Sequence, residues 1–203
     1  SHMPPTAFSP AADRNKAPIL ATLQAVLPTQ GTALEGAAGT GQHVAWFAAG
    51  LPGWTWQPTD ARAEALQSID AYAAQAACAR IRPATLLDVM APQWLPPDQQ
   101  FDLIYCANML HVAPWSACIA LMAGSARHLT GTGWLITYGP YLEAGVPTSS
   151  GNLAFDASLR AENPDWGIRQ REDVEAVARQ SGLHLLQRHT MPANNLLLVW
   201  ARR

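Results

Sequence analysis

Thr32-Ala33-Leu34-Glu35-Gly36-Ala37-Ala38-Gly39-Thr40-Gly41-Gln42-His43-Val44-Ala45-Trp46-Phe47 decides the fold. The apolar pair Ala33-Leu34 runs into the acid Glu35, and the small residues Gly36 to Gly41 follow. Val44, Trp46 and Phe47 then open an apolar pattern compatible with a helix. Strand, tight glycine turn and helix N-terminus form the local design of a nucleotide-binding α/β unit. A Cβ at Gly39 or Gly41 would hold a ligand away from the backbone. The Glu35 carboxylate accepts hydrogen bonds, so it calls for a ligand with hydroxyl or amine donors.

Two phosphate-binding designs fit this stretch poorly. A dinucleotide fingerprint wants a small residue where Val44 stands, so that helix and strand pack closely. A P-loop wants Gly-Lys-Ser or Gly-Lys-Thr, and neither occurs. The acid-x-x-x-Gly-x-Gly spacing of Glu35, Gly39 and Gly41 instead resembles the first motif of class I S-adenosylmethionine-dependent methyltransferases. That resemblance implies a loop backing onto the methionine part of a cofactor without phosphate. One departure is Ala37, where many such enzymes carry the first glycine. Alanine tolerates most backbone conformations except positive φ.

At 203 residues the chain suits one domain, expected over 4–203, with a substantial core. With 49% hydrophobic and 14% charged residues it is neither disordered nor a coiled coil. A net charge of -2 gives no electrostatic reason to expect nucleic acid. Cys78, Cys106 and Cys118 lack metal-ligand spacing and read as buried or free thiols of a reducing compartment. No apolar run approaches the roughly 20 residues that span a bilayer. Ser1-His2-Met3 reads as a tag remnant. The expectation is a soluble, cytoplasmic protein with no membrane partner and no metal; its oligomeric state is left open.

Ser9 can cap a helix with Pro10 at its first position. That helix runs through Ala11 to Lys16, and Pro18 marks a break or restart before Ile19, Leu20, Leu23, Val26 and Leu27. The helix from Gln42 to Ala49 stops at Gly50-Leu51-Pro52-Gly53. Trp54 and Trp56 alternate as in a strand, with Pro58 marking its end or an edge. Asp60 then stands where open α/β sheets place the acid that holds ribose hydroxyls, a position equally suited to capping a helix from Ala61 to Ala79. Thr85 to Val89 reads as a third strand whose acid, Asp88, can accept from an adenine amine.

Phe101 to Ala107 reads as a buried fourth strand, followed by Asn108-Met109-Leu110-His111-Val112. Ser116 to Leu129 is a helix, Gly131-Thr132-Gly133 a turn, and Trp134 to Tyr138 a fifth strand ending at Gly139-Pro140-Tyr141. Residues 142–169 are polar and punctuated, which reads as an acceptor-site loop or lid with a short helix from Phe155 to Ala161. Glu172 to Gln180 is a helix ended by Ser181-Gly182. Leu183 to Arg188 and Leu196 to Trp200 close the sheet through a hairpin at Met191 to Asn195. The fold class expected is α/β: a Rossmann-like sandwich with a mostly parallel seven-stranded sheet and a C-terminal antiparallel hairpin.

A narrower resemblance rests on co-occurring blocks. Ser9 to Lys16, Gly39 to His43, Trp56 to Asp60, Asn108 to His111, Pro114-Trp115, Tyr138 to Tyr141, Asn163 to Arg169 and Pro192 to Asn195 resemble the DUF938 family, also called methyltransferase-like 26. The family's name implies a methyltransferase and leaves the acceptor largely undefined. The resemblance implies that Glu35, Gly36, Ala37, Gly39, Gly41, His43, Asp60, Asp88, Val89, Asn108 and Met109 bind S-adenosyl-L-methionine.

Methyl transfer needs an acceptor atom held within about 3–3.5 Å of the methyl carbon and on axis. A base is needed only for a protonated, weakly acidic acceptor, and a soft thiolate needs little help. His111 is the candidate base, or else a structural histidine. Tyr138 and Tyr141 can bind the acceptor or lie beside the sulfonium, or simply pack. Arg14, Asn15, Trp115, Arg160 and Trp166 are candidates for a small-molecule acceptor. Arg14, Arg160 and Arg169 can grip a carboxylate or form surface ion pairs. A non-catalytic S-adenosylmethionine-binding regulatory protein is the alternative, and an NAD-dependent oxidoreductase is a third reading that Val44 disfavours.

Overall fold

Ser9 sets the start of the first helix. The computed structural model describes residues 6–202, so Ser-His-Met, Pro4, Pro5 and Arg203 lie outside the described residues. Ser9 Oγ accepts the Ala12 N–H at 3.2 Å, and Pro10 opens α1 (Pro10–Val26). The helix runs unbroken through Pro18, correcting the expected break. The donor that Pro18 lacks would have served the carbonyl of Arg14, an exposed residue that water can reach. Ile19 and Leu23 of the expected stripe are fully buried, while Leu20, Val26 and Leu27 are half-buried.

The chain divides into two compact units, the first comprising residues up to Asp88 together with Phe101–Tyr105. In it β1 (Gly31–Gly36) pairs in parallel with β2 (Trp54–Asp60), from Gly31 opposite Trp54 to Glu35 opposite Pro58. β3 is only Thr85–Leu86, both exposed, and pairs with Thr59 and Asp60. Pro58, expected to mark the end of β2 or an edge, marks neither: the strand continues to Asp60 and has neighbours on both sides. It is tolerated because it falls in a gap of the ladder, between the Trp56 bonds to Arg80 and Arg82 and the Leu87 N–H bond to Asp60 O. The Gln57 amide fills that gap, donating to Pro58 O and Pro83 O at 3.0 Å each.

α2 (Gln42–Gly50) and α3 (Ala65–Ala76) complete the unit with the first five residues of β4 (Phe101–Ala107). α3 is shorter than expected because the Asp60 side chain accepts the Arg62 N–H at 3.0 Å and holds a turn there. Phe47, Trp56 and Tyr105 are fully buried. Phe47 meets Tyr105 edge-on at 5.3 Å and Trp56 at 5.9 Å, a ring cluster under β1.

The second unit comprises Val89–Gln100 and the chain from Cys106. It holds α4 (Trp115–His128), β5 (Leu129–Leu142), α5 (Ser150–Glu162), β6 (Arg169–Gln170), α6 (Arg171–Gln180), β7 (Leu183–Met191) and β8 (Asn195–Arg202). Gly131-Thr132-Gly133 lies inside β5, not in a turn. Leu129, already extended at φ -82 and ψ 139, makes the corner, and Arg202 clamps it by donating to Ala126 O and Leu129 O. β8 pairs antiparallel with β5 and β7, as the expected hairpin requires. The strand path is β3-β2-β1-β4-β5-β8-β7, with β6 parallel to β5 off that path. This is a Rossmann-like α/β sheet of eight strands, seven of them on the path.

Candidate functional site

In the first unit a glycine-rich turn joins β1 to α2. Ala37, Gly39 and Gly41 all take positive φ, at 53°, 62° and 95°. The two glycines differ in what a Cβ would meet. At Gly41 it would lie 2.6 Å from the Ile69 Cα, so this glycine serves close packing of the loop on α3. At Gly39 it would meet nothing within 4 Å, so this position faces open space. Ala37 occupies the conformation least suited to alanine, at a cost of about 1–2 kcal/mol.

Two acids flank the turn. Asp60 Oδ2 accepts the Gly39 N–H at 2.8 Å while Oδ1 accepts the Arg62 N–H at 3.0 Å; it does not cap a helix from Ala61, because α3 begins at Ala65 with Glu64 before it. Glu35 is 2% exposed, and its Oε1 has no hydrogen-bond partner among the described residues. Burial, and secondarily the Asp60 charge, raise its carboxyl well above the usual range. A buried acceptor left unpaired keeps its capacity for a donor. Asp88 lies exposed just beyond β3, with Val89 half-buried after it.

His43 does not face open space. Its Nε2 lies 2.6 Å from Asn15 Oδ1 and its Nδ1 lies 3.1 Å from Tyr105 Oη. The Nε2–H tautomer satisfies both, with the Tyr105 hydroxyl donating to Nδ1. Burial lowers its pKa to about 4, with Lys16 adding to the effect and a backbone contact at Ala12 opposing it. Asn15 is therefore engaged in joining α1 to α2. Arg14 is exposed and makes no ion pair among the described residues. Gln42, 5% exposed and not singled out by its sequence, ties the N-terminal segment to the loop. Its Oε1 accepts from Ser9 N–H at 2.7 Å and from the Thr40 hydroxyl at 2.8 Å.

In the second unit Asn108 takes φ 55 and donates its N–H to Tyr138 O at 2.8 Å. Met109 then leads into a short 3-10 turn, Leu110–Val112, which buries His111 to 6% exposure. A Cβ at Gly139 would lie 3.6 Å from both Asn108 Oδ1 and His111 Nδ1, so these two polar atoms converge on the bare face of Gly139. Neither His111 ring nitrogen has a hydrogen-bond partner among the described residues, and Phe155 packs edge-on at 5.5 Å. Burial, then Arg169, lower the His111 pKa to about 4.

The other expected residues serve mainly as supports. Tyr138 is buried, and Tyr141 donates its hydroxyl to Thr137 Oγ1 at 3.0 Å, with burial pushing its pKa up. Arg169 donates to the carbonyls of Leu110, Ala113 and Asp165 and lies over the Trp115 ring at 5.6 Å, so its donors hold the His111 turn. Arg160 pairs with Asp156 at 3.0 Å, and Asp156 accepts the Ile168 N–H at 2.8 Å. Trp166 is half-buried, its N–H bound to Asn163 O. Residues 150–162 form a full helix where a short one from Phe155 was expected, and Leu159 is its one buried residue. No group of three metal-ligating side chains occurs among the described residues, nor is any helix there long and apolar enough to cross a membrane.

A strand-end acid, an open glycine turn and a second acid on the adjacent strand, on this sheet order, define the class I methyltransferase type of fold. The chain belongs to the DUF938 family, described as a protein of unknown function, whose model matches residues 6–202. Solved structures agree on the fold. The mitomycin 7-O-methyltransferase MmcR superposes with a TM-score of 0.82 at 14% identity, covering 95% of this chain and 54% of that one. CalO1, a methyltransferase of calicheamicin biosynthesis in its SAH-bound form, gives 0.76 at 16%, covering 93% and 54%. The neocarzinostatin O-methyltransferase NcsB1, in complex with S-adenosylmethionine and a hydroxynaphthoic acid, gives 0.76 at 13%, covering 95% and 55%. The chain thus spans about half the length of these proteins.

Proposed function

We propose that this chain transfers the methyl group of S-adenosylmethionine to a small-molecule acceptor. The observation that carries the reading is the buried, unpaired Glu35 Oε1 at the end of β1, the strand that leads into the glycine turn. S-adenosylmethionine fits this donor demand: it carries hydroxyls and amines for Glu35 and Asp60, and no phosphate that two acids would repel. When bound, it supplies a methyl carbon activated by a sulfonium. The fold shared with methyltransferases supports the same reading.

The chain's own residues then bind, orient and exclude water. Asp60 holds the Gly39 N–H and has further acceptor capacity for a ribose hydroxyl. Asp88, Val89, Asn108 and Met109 are the remaining cofactor positions in this reading, with Gly36, Ala37 and Gly41 shaping the loop. His43 acts at one remove, by fixing α2 against α1. His111 presents a neutral imidazole at physiological pH, because its pKa sits near 4. It accepts a hydrogen bond from an acceptor hydroxyl and aims the oxygen lone pair, rather than removing the proton in advance. Most of the acceleration is then proximity and orientation.

Calorimetric titration with S-adenosylmethionine and S-adenosylhomocysteine, with NADH as control, tests the reading. Micromolar binding of the first two and none of NADH is expected. Binding of NADH alone would reverse it.

A further inference from the structure

The segment ahead of α1 reaches the glycine turn through two buried side chains of the first unit. Thr6, Ala7 and Phe8 are exposed, Phe8 to 63%, so this stretch has little apolar anchorage. Its backbone is held by side chains instead. From α3, Ser68 Oγ accepts the Ala7 N–H at 2.8 Å and the Tyr72 hydroxyl donates to Ala7 O at 2.8 Å. Gln42, the first residue of α2, grips Ser9 twice: its Oε1 accepts the Ser9 N–H at 2.7 Å and its Nε2 donates to Ser9 O at 3.2 Å. A surface segment fastened by polar bonds opens at far less cost than the whole fold.

Two of these anchors also hold the turn. Ser68 and Gln42 are each 5% exposed. A hydroxyl has one proton to give, and that of Ser68 goes to Thr40 O at 2.7 Å, which leaves a lone pair for the Ala7 N–H. The Gln42 carbonyl divides in the same way, with one lone pair on the Ser9 N–H and the other on the Thr40 hydroxyl at 2.8 Å. Thr40 Oγ1 in turn accepts the Gln42 N–H at 3.2 Å. On either side, Gly39 is fixed by Asp60, and Gly41 by its close approach to Ile69, the neighbour of Ser68. The partners of Thr40 are thus shared with residues 7–9. Undocking that segment leaves Ser68 and Gln42 with unfilled lone pairs in a buried place, and nothing on that side then sets their orientation toward Thr40.

We propose that Ser68 and Gln42 are positioning residues that couple the segment ahead of α1 to the cofactor turn, so that docking of residues 7–9 sets the affinity for S-adenosylmethionine. The proposal rests on the methyl-transfer reading above. A turn already held in one geometry binds its ligand without the loss of freedom that ordering would bring. Linkage makes the effect reciprocal: a cofactor that favours the ordered turn also favours the docked segment. Two substitutions isolate the coupling. The Tyr72 hydroxyl bonds to the segment and not to the turn, so Tyr72→Phe loosens the segment alone. Ala7→Pro removes the N–H that Ser68 accepts and keeps the Ser68 bond to Thr40. Both leave the turn, Ser68 and Gln42 intact.

Calorimetric titration of the full chain with S-adenosylhomocysteine, beside NMR amide exchange at Ala7 and Ser9, tests the coupling. In the wild type the ligand should slow exchange at both amides. Tyr72→Phe and Ala7→Pro should each weaken its binding about two- to tenfold, the contribution of one hydrogen bond. Both changes lie at the surface, so the melting temperature of the free protein should stay within about 2 °C of the wild type. Side chains that served the fold alone would leave the affinity of these two variants untouched. Wild-type binding with unaltered exchange at Ala7 and Ser9, or with unchanged affinity in both variants, overturns the coupling and leaves the methyl-transfer reading standing. No binding of S-adenosylhomocysteine by the wild type rejects that reading, and the coupling to the cofactor with it.

Discussion

Asp60 Oδ2 accepts the backbone N–H of Gly39 at 2.8 Å, so the acid at the end of β2 shapes the turn that follows β1. One carboxylate thus preorganises the loop and, in the proposed function, offers its remaining lone pairs to the cofactor. Asp60→Ala should weaken S-adenosylmethionine binding at least tenfold, about 1.4 kcal/mol. It should also lower the melting temperature of the free protein. A calorimetric titration and a thermal melt check this together, and unchanged affinity would remove Asp60 from the cofactor site.

The two loop glycines should separate stability from binding. Gly41→Ala drives a Cβ to 2.6 Å from the Ile69 backbone, and overpacking of that kind costs about 1–3 kcal/mol on top of the positive-φ strain. Gly39→Ala meets no neighbour, so it should lose only the ~1–2 kcal/mol of backbone strain. The order reverses for ligand affinity, since Gly39 faces open space. Urea denaturation beside cofactor titration reads both, and equal effects on binding would refute the contrast.

Glu35 is raised in pKa by burial, which fixes the sign of its pH effect. A carboxyl with a folded pKa above its unfolded value contributes stability below the unfolded value near 4.5, and loses that contribution as pH rises through the folded pKa. Glu35→Gln should therefore raise the melting temperature of the free protein more at pH 8 than at pH 5. The same change should weaken S-adenosylmethionine binding about tenfold, or about 1.4 kcal/mol. A variant that is less stable at pH 8 would mean that the carboxylate is not a buried acceptor awaiting a ligand.

His43 has the opposite sign. Its pKa falls from 6.5 to about 4 on folding, so the stability is present above pH 6.5 and lost as pH drops through that window. The full effect is on the order of 3 kcal/mol, and His111 contributes in the same direction. Denaturant titrations between pH 7 and 4 should show a steep loss. His43→Gln can donate to Asn15 and accept from Tyr105 without titrating, and it should flatten that slope. An unchanged slope would show that His43 does not titrate in this window.

Much of this arrangement was legible in the sequence, because its signals are local. Ser9 before Pro10, the glycine turn after Glu35 and the apolar run of β4 each carry their own evidence within a few residues. What escaped depends on partners far away. β6 is two residues long and exists only through its pairing with Tyr141 and Leu142. α5 has a single buried residue, so no apolar stripe announces it. The strand expected from Thr85 to Val89 is only Thr85–Leu86, at one end of the strand order, and Leu86 is 60% exposed. The bonds of His43 to Asn15 and Tyr105 join residues 28 and 62 positions apart. Only the three-dimensional structure turns a glycine-loop histidine into a brace.

Arg169 illustrates the same point at the second patch, where a cation suited to gripping an acidic acceptor is engaged elsewhere. Its Nε and Nη2 donate to Leu110 O at 3.2 Å, Ala113 O at 2.7 Å and Asp165 O at 2.7 Å, straddling the turn that carries His111. Lysine has one ammonium and cannot reproduce this fork, although it keeps the charge. Arg169→Lys should leave at least one of these carbonyls without a protein donor and cost about 1–3 kcal/mol of stability. It should slow methyl transfer while leaving S-adenosylmethionine affinity within about twofold, or about 0.4 kcal/mol. If Arg169 gripped the acceptor directly, lysine would retain the charge interaction, and the loss would appear in acceptor KM with stability unchanged. Melting temperature, kcat and KM measured on the same variant decide between a brace and a grip.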